Sequence, residues 1–165
     1  METARSFSHL LKGQNPPFSL APILNHFGIY EVRTRILYPE LARIIFYGGH
    51  PIIEVNSLFS EENHRFSVGH ELGHVILNEA NGKDRFAISC DIKEEEEKAD
   101  IIGRELVIPS WAVSFLTPRN GLQFQKASMS SLTLKNVARY FGVGAKVMRD
   151  RLVKDFGWYE IPNKK

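Results

Sequence analysis

The chain has 165 residues, of which 43% are hydrophobic, enough for one folded core and too apolar for a disordered segment. Its net charge of +2 is too small to imply nucleic acid by itself. No run approaches 18 apolar residues, no early apolar stretch follows a basic start, and Cys90 is the only cysteine, so we expect a cytoplasmic protein without membrane span, secretion or disulfide.

Residues 1–17 show no sustained period and end at Pro16-Pro17, which suggests a loosely held tail. Ser19 to Phe27 then reads as a short helix, with Leu20, Ile23, Leu24 and Phe27 at helical spacing and Gly28 at its end. Ile29 to Leu37 suggests a strand. Ala42 to Asn56 reads more clearly as a hairpin, because two apolar β-rich runs flank Gly48-Gly49-His50. A small antiparallel sheet is therefore expected ahead of the next helix, and an edge strand of such a sheet can pair with an extended peptide.

That helix is expected to begin after Ser60, a candidate cap followed by Glu61 and Glu62, and to end at Asn81-Gly82. Within it lies His70-Glu71-Leu72-Gly73-His74. Residues four apart share one helical face, so the two imidazoles can bind one zinc ion, while Glu71 lies about 100° around the helix, where a general base is needed. The pentapeptide alone also fits an ordinary solvated helix. Its flanks, Phe66-Ser67-Val68-Gly69 and Val75-Ile76-Leu77, are largely apolar, and buried imidazoles need partners. Gly69 and Gly73 cost a helix interior about 1 kcal/mol each relative to alanine, which suggests that a second backbone packs close to the histidine face.

Two histidines require a third protein ligand. The metzincin continuation would need a glycine and a third histidine where Leu77 and Ala80 stand, so that class is excluded. A carboxylate from a second helix remains, with Asp84, Asp91, Glu94 to Glu97 and Asp100 as candidates. Glu79 is too near on the same helix to fold back. Glu96 is favoured because Asp100 follows one turn later and can accept the free ring N–H of a ligating histidine; Glu97 is the alternative. The remaining glutamates read as a solvated acidic first turn. This helix is expected over about Glu94 to Val107, stopped by Pro109, with another starting at Ser110 and a polar loop over residues 118–130. Cys90 reads as a small half-buried residue, or as a thiolate that blocks the metal.

In the last third, Leu134, Val137, Ala138 and Phe141 mark one amphipathic helix and Val147, Met148 and Leu152 a second, joined by Gly142-Val143-Gly144. Helix, short turn, helix is the outline of a helix-turn-helix. Lys135, Arg139, Lys146, Arg149, Arg151 and Lys154 would give it a basic surface suited to DNA phosphates, diluted by Asp150 and Asp155. The same outline serves a unit that packs on the core or grips a protein substrate.

Arg65 to His74, Glu96-x-x-Ala99-Asp100, Glu105-Leu106-Val107-Ile108-Pro109 and the upstream Ile52 to Asn56 together resemble the ImmA/IrrE family of bacterial and phage zinc metallopeptidases. The resemblance implies an α+β fold: a small antiparallel sheet on a zincin-like helical core, here residues 18–117, followed by a helix-turn-helix-like region, residues 118–165. It implies one zinc held by His70, His74 and Glu96 in the gluzincin manner, Glu71 as general base, and Asp100 behind a histidine. It also implies cleavage of a helix-turn-helix repressor, which would switch on phage, mobile-element or stress genes. Ile102-Gly103, and Val107-Ile108 within Leu106-Val107-Ile108-Pro109, depart from common family residues without touching a ligand, and leave the subfamily open. Tyr47, His50, His64 and Arg65, near the predicted strand end or helix start, are candidates for an oxyanion donor. The competing reading is a DNA-binding or toxin–antitoxin type of regulator with a non-catalytic metal site.

Overall fold

The computed structural model describes residues 2–87, 93–116 and 128–161. Cys90, Asp91 and most of the polar segment expected over 118–130 lie outside them. Among the described residues no helix is long and apolar enough to cross a membrane.

The chain opens with helix α1, Glu2–Ser8, and a 3-10 turn, His9–Leu11, where a loose tail was expected. Ala4, Ser8 and Leu11 are buried, and the Phe7 ring packs 5.1 Å from that of Phe27. Ala4, Phe7 or Ser8, and Leu11 lie three and four residues apart, so this segment does carry an apolar helical stripe, diluted by the serines around it. Helix α2, Ala21–His26, follows.

Three strands come next: β1, Val32–Arg35; β2, Ala42–Tyr47; and β3, His50–Asn56. Gly48 and Gly49 both have positive φ, +58° and +83°, the requirement of the two-residue turn that suits a twisted hairpin. Tyr47 and His50 close it, and β2 pairs antiparallel with β3. The expected all-antiparallel sheet is corrected at β1, which pairs parallel with β3, giving a mixed sheet in the order β1-β3-β2. Composition explains the order. Ile52, Ile53 and Val55 are buried in β3, which takes the centre, whereas Val32-Arg33-Thr34-Arg35 suits an edge.

Helix α3, Glu61–Ala80, and helix α4, Lys93–Val107, form the most extensive helix–helix contact. Val68, Leu72, Val75 and Ile76 of α3 and Ile102, Leu106 and Val107 of α4 join Ile53 and Val55 in one core. Ser60 stands at the start of α3 in extended conformation but makes no side-chain cap bond. After Pro109 come α5, Ser110–Val113, and a 3-10 turn, Ser114–Leu116.

Strand β4, Ser128–Ser130, leads into α6, Ser131–Phe141, then α7, Ala145–Asp150, which continues as a π-helical turn, Arg151–Asp155. A last strand, β5, Tyr159–Ile161, pairs parallel with β4. The two expected helices are present, but their basic surface is smaller than the sequence suggested. Arg151 is 2% exposed and turns inward. Its guanidinium bonds to Glu105, to Asp155 Oδ2 at 3.1 Å, and to the Ile108 carbonyl and Ser110 Oγ, each at 3.0 Å.

Candidate metal centre

The close approach of α3 and α4 builds the site. A Cβ added at Gly73 would meet the Ala99 carbonyl oxygen at 2.6 Å, and one at Gly103 would meet the His70 backbone nitrogen at 3.0 Å. Two helix backbones nearly touch, as the glycine spacing suggested, and α4 therefore lays its acidic first turns directly over the histidines.

Three side chains converge there. His70 Nε2 and His74 Nε2 are 3.1 Å apart, and Glu96 places Oε2 3.2 Å from the first and Oε1 3.3 Å from the second. Among the described residues, His70, His74 and Glu96 are the one group of histidine, cysteine and acidic side chains gathered closely enough to hold a metal ion. The run of four glutamates is thereby sorted. Glu94, Glu95 and Glu97 pair with Lys98, Lys83 and Lys93, while Glu96 turns to the imidazoles. Glu79 pairs with Arg85, and Asp84 accepts a bond from the Phe86 amide in a turn.

Asp100, one turn beyond Glu96, accepts the bond from His70 Nδ1–H at 2.9 Å, which leaves Nε2 turned toward the other two ligand atoms. Burial works against a charge on His70, but the bond to Asp100 and the surrounding carboxylates outweigh it and raise its pKa. Burial and the neighbouring His70 lower that of His74. Glu71 lines the same cleft, and burial pushes its carboxyl up to about 7, with the Glu96 and Glu40 charges adding to the effect and His70 opposing it.

The cleft has a volume of roughly 650 Å³. Leu41, Ala42, Arg43 and Ile44 of the β2 side form one wall, and α3 and α4 form another. None of the four residues considered as oxyanion donors lines it. Tyr47 is exposed at the hairpin tip under the Arg33 guanidinium, and His50 is its strand partner. His64 Nε2 bonds to the Asn56 carbonyl at 2.7 Å, and Arg65 reaches the Phe18 carbonyl. The last two border a separate hollow that also takes in Pro17, Leu24 and Gly142. Burial lowers the Arg65 pKa to about 10.

A family model described as the IrrE N-terminal-like domain matches residues 25–153, over three quarters of the chain and all of the site. The chain belongs to this metallopeptidase family. No curated protein matches it closely enough to count as a relative. For an IrrE-like metallo-endopeptidase the arrangement is chemically coherent: a ligand triangle, a buried carboxyl beside it, and an open cleft leading to both. Sequence reasoning passed over Arg104, which lies near Asp100. Its signal was available, because residues 100 and 104 stand at the same four-residue spacing that marked the histidines.

Proposed function

We propose that this protein is a zinc-dependent endopeptidase that cleaves a protein substrate, a helix-turn-helix transcriptional repressor, with His70, His74 and Glu96 as metal ligands and Glu71 as general base. The ligand triangle carries the reading. Tetrahedral zinc with bonds of about 2.0–2.1 Å sets its ligand atoms about 3.3–3.4 Å apart; here the two Nε2 atoms are 3.1 Å apart and each has a different Glu96 oxygen near it, at 3.2 Å for His70 and 3.3 Å for His74. Two neutral imidazoles and one carboxylate also form the donor set of catalytic zinc sites, in which a fourth position is left for chemistry.

When bound, zinc supplies Lewis acidity to a peptide carbonyl and lowers the pKa of a water molecule. The chain's own residues do the rest. Glu71 takes the proton of the attacking water at a carboxylate oxygen and returns it to the nitrogen of the departing amine. Asp100 holds the His70 ring in the orientation that points Nε2 at the ligand triangle. The edge strand β2, which borders the cleft, offers main-chain groups to an extended peptide and so accepts many side-chain sequences. The repressor as substrate rests on the family resemblance.

The test is incubation of the purified zinc-loaded protein with the product of an adjacent repressor gene. Cleavage is expected, abolished by a chelator, and Glu71→Gln should slow it about 10²–10⁴-fold while metal content stays unchanged. Cleavage at the wild-type rate by Glu71→Gln would sink the mechanism, and a wild-type protein without affinity for zinc would sink the site.

A further inference from the structure

The metal face of α4 is wired to the C-terminal helices. Arg104 is 5% exposed, and its Nε and Nη2 form a fork on Asp155, at 2.9 Å to Oδ2 and 3.0 Å to Oδ1. Its remaining nitrogen, Nη1, faces back along α4 and lies 4.0 Å from Asp100 Oδ2. Asp100 in turn holds His70 Nδ1 through its other oxygen. A line of polar groups, Asp155–Arg104–Asp100–His70, thus runs from the turn that follows α7 to a candidate metal ligand, hydrogen-bonded at both ends and joined in the middle by a longer charge contact of 4.0 Å. Asp155 is itself held by a second buried cation, because Arg151 Nη1 bonds to its Oδ2 at 3.1 Å.

We propose that Arg104 is a positioning residue of the metal site, fixed by Asp155, so that the C-terminal helices form part of the machinery that orients His70. This rests on the ligand assignment given above. An arginine fork has one planar solution on a carboxylate, so Asp155 sets where the third nitrogen points. Asp100 is about half exposed, and a carboxylate in that position can turn toward solvent unless something steadies its free oxygen. Arg104 supplies that charge from the buried side. The same geometry explains why Arg151 turns inward in a region whose sequence reads as a nucleic-acid binder: it is used within the fold.

The experiment is zinc competition against a fluorescent chelator with wild type, Arg104→Met, Asp100→Asn, the double variant and Asp155→Asn, alongside thermal unfolding of each. Arg104→Met should weaken zinc binding about 10-fold, the lower end of the range for groups that support a metal ligand. Asp155→Asn, which keeps the shape and both arginines, should weaken it by a smaller factor and serves alone if Arg104→Met does not fold. The decisive comparison is the double variant. If Arg104 acts through Asp100, adding Arg104→Met to Asp100→Asn should cause no further loss, whereas a general loosening of the fold would weaken binding again in that background. Arg104→Met or Asp155→Asn that folded and bound zinc within twofold of wild type would overturn the inference, as would an undiminished Arg104→Met effect in the Asp100→Asn background. A wild-type chain that did not bind zinc would instead remove the ligand assignment itself.

Discussion

Helix α4 carries charge on two sides, and the two sides balance it differently. Toward α3, Glu96 meets only the imidazoles of His70 and His74 among the described residues, and Glu71 stands near with a raised pKa. Negative charge collects there without a lysine or arginine bonded to Glu96. Toward the C-terminal helices, Arg104 and Arg151 meet Glu105 and Asp155, two cations against two anions, and Ser8 and Ser110 bond to the oxygens of Glu105. A cluster whose charges are balanced within the chain serves as a joint. A cluster left short of positive charge is suited to take a cation from solution.

The largest stability effect should come from breaking the joint. Arg151→Met leaves Glu105 buried and without its cation, and removing one partner of a buried pair costs about 3–5 kcal/mol. Urea unfolding should show this loss both with and without zinc. A loss under about 1 kcal/mol would mean that the pair is weakly coupled to folding and that the joint is held by its apolar residues, such as Phe141 against Phe18.

The site side should respond to sterics more than to charge. Gly73→Ala places a methyl group 2.6 Å from the Ala99 carbonyl oxygen, so the helices must separate, at a cost of about 1–3 kcal/mol. Zinc affinity should fall with it, because Glu96 reaches the histidines only while the backbones touch. Gly69→Ala meets the Gly103 carbonyl at 3.1 Å and a Val107 methyl that can rotate, and should cost less. Equal stability of Gly73→Ala and wild type would show that the helix contact is softer than the geometry says.

The site was more legible in the sequence than the joint, and the reason is locality. His70, Glu71 and His74 lie about one helical turn apart, and so do Glu96 and Asp100, so spacing could align each set, although it left Glu97 as an alternative to the Glu96 that the family resemblance implied. The Gly48-Gly49 turn fixed a hairpin in the same local way. By contrast, the parallel pairing of β1 depends on which strand is buried deepest, a property of the finished core. Arg151 reads as surface charge until Glu105, 46 residues earlier, is seen to face it. The α1 helix was hidden because its stripe is short and includes Ser8, whose burial makes sense only with the Glu105 oxygen that accepts its bond. Ser60 shows the converse: a capping residue in the right place that makes no cap bond.

The smallest effect should belong to the outward side of α4. Lys98 pairs with Glu94 at 2.6 Å, with both side chains at least half exposed, and lies two residues from both Glu96 and Asp100. If zinc affinity were governed by the summed charge of the helix, removing this cation should tighten binding. Helix geometry and screening argue otherwise, since positions two apart point about 200° away from each other around a helix and salt weakens exchange between exposed charges. Alanine replaces lysine without harm to helix propensity. Lys98→Ala should therefore leave the unfolding midpoint unchanged and zinc affinity within twofold of wild type at physiological salt, with any tightening confined to low ionic strength. A large change at physiological salt would mean that the site is tuned by the field of the whole helix, and the separate roles of its inner sides would have to be reconsidered.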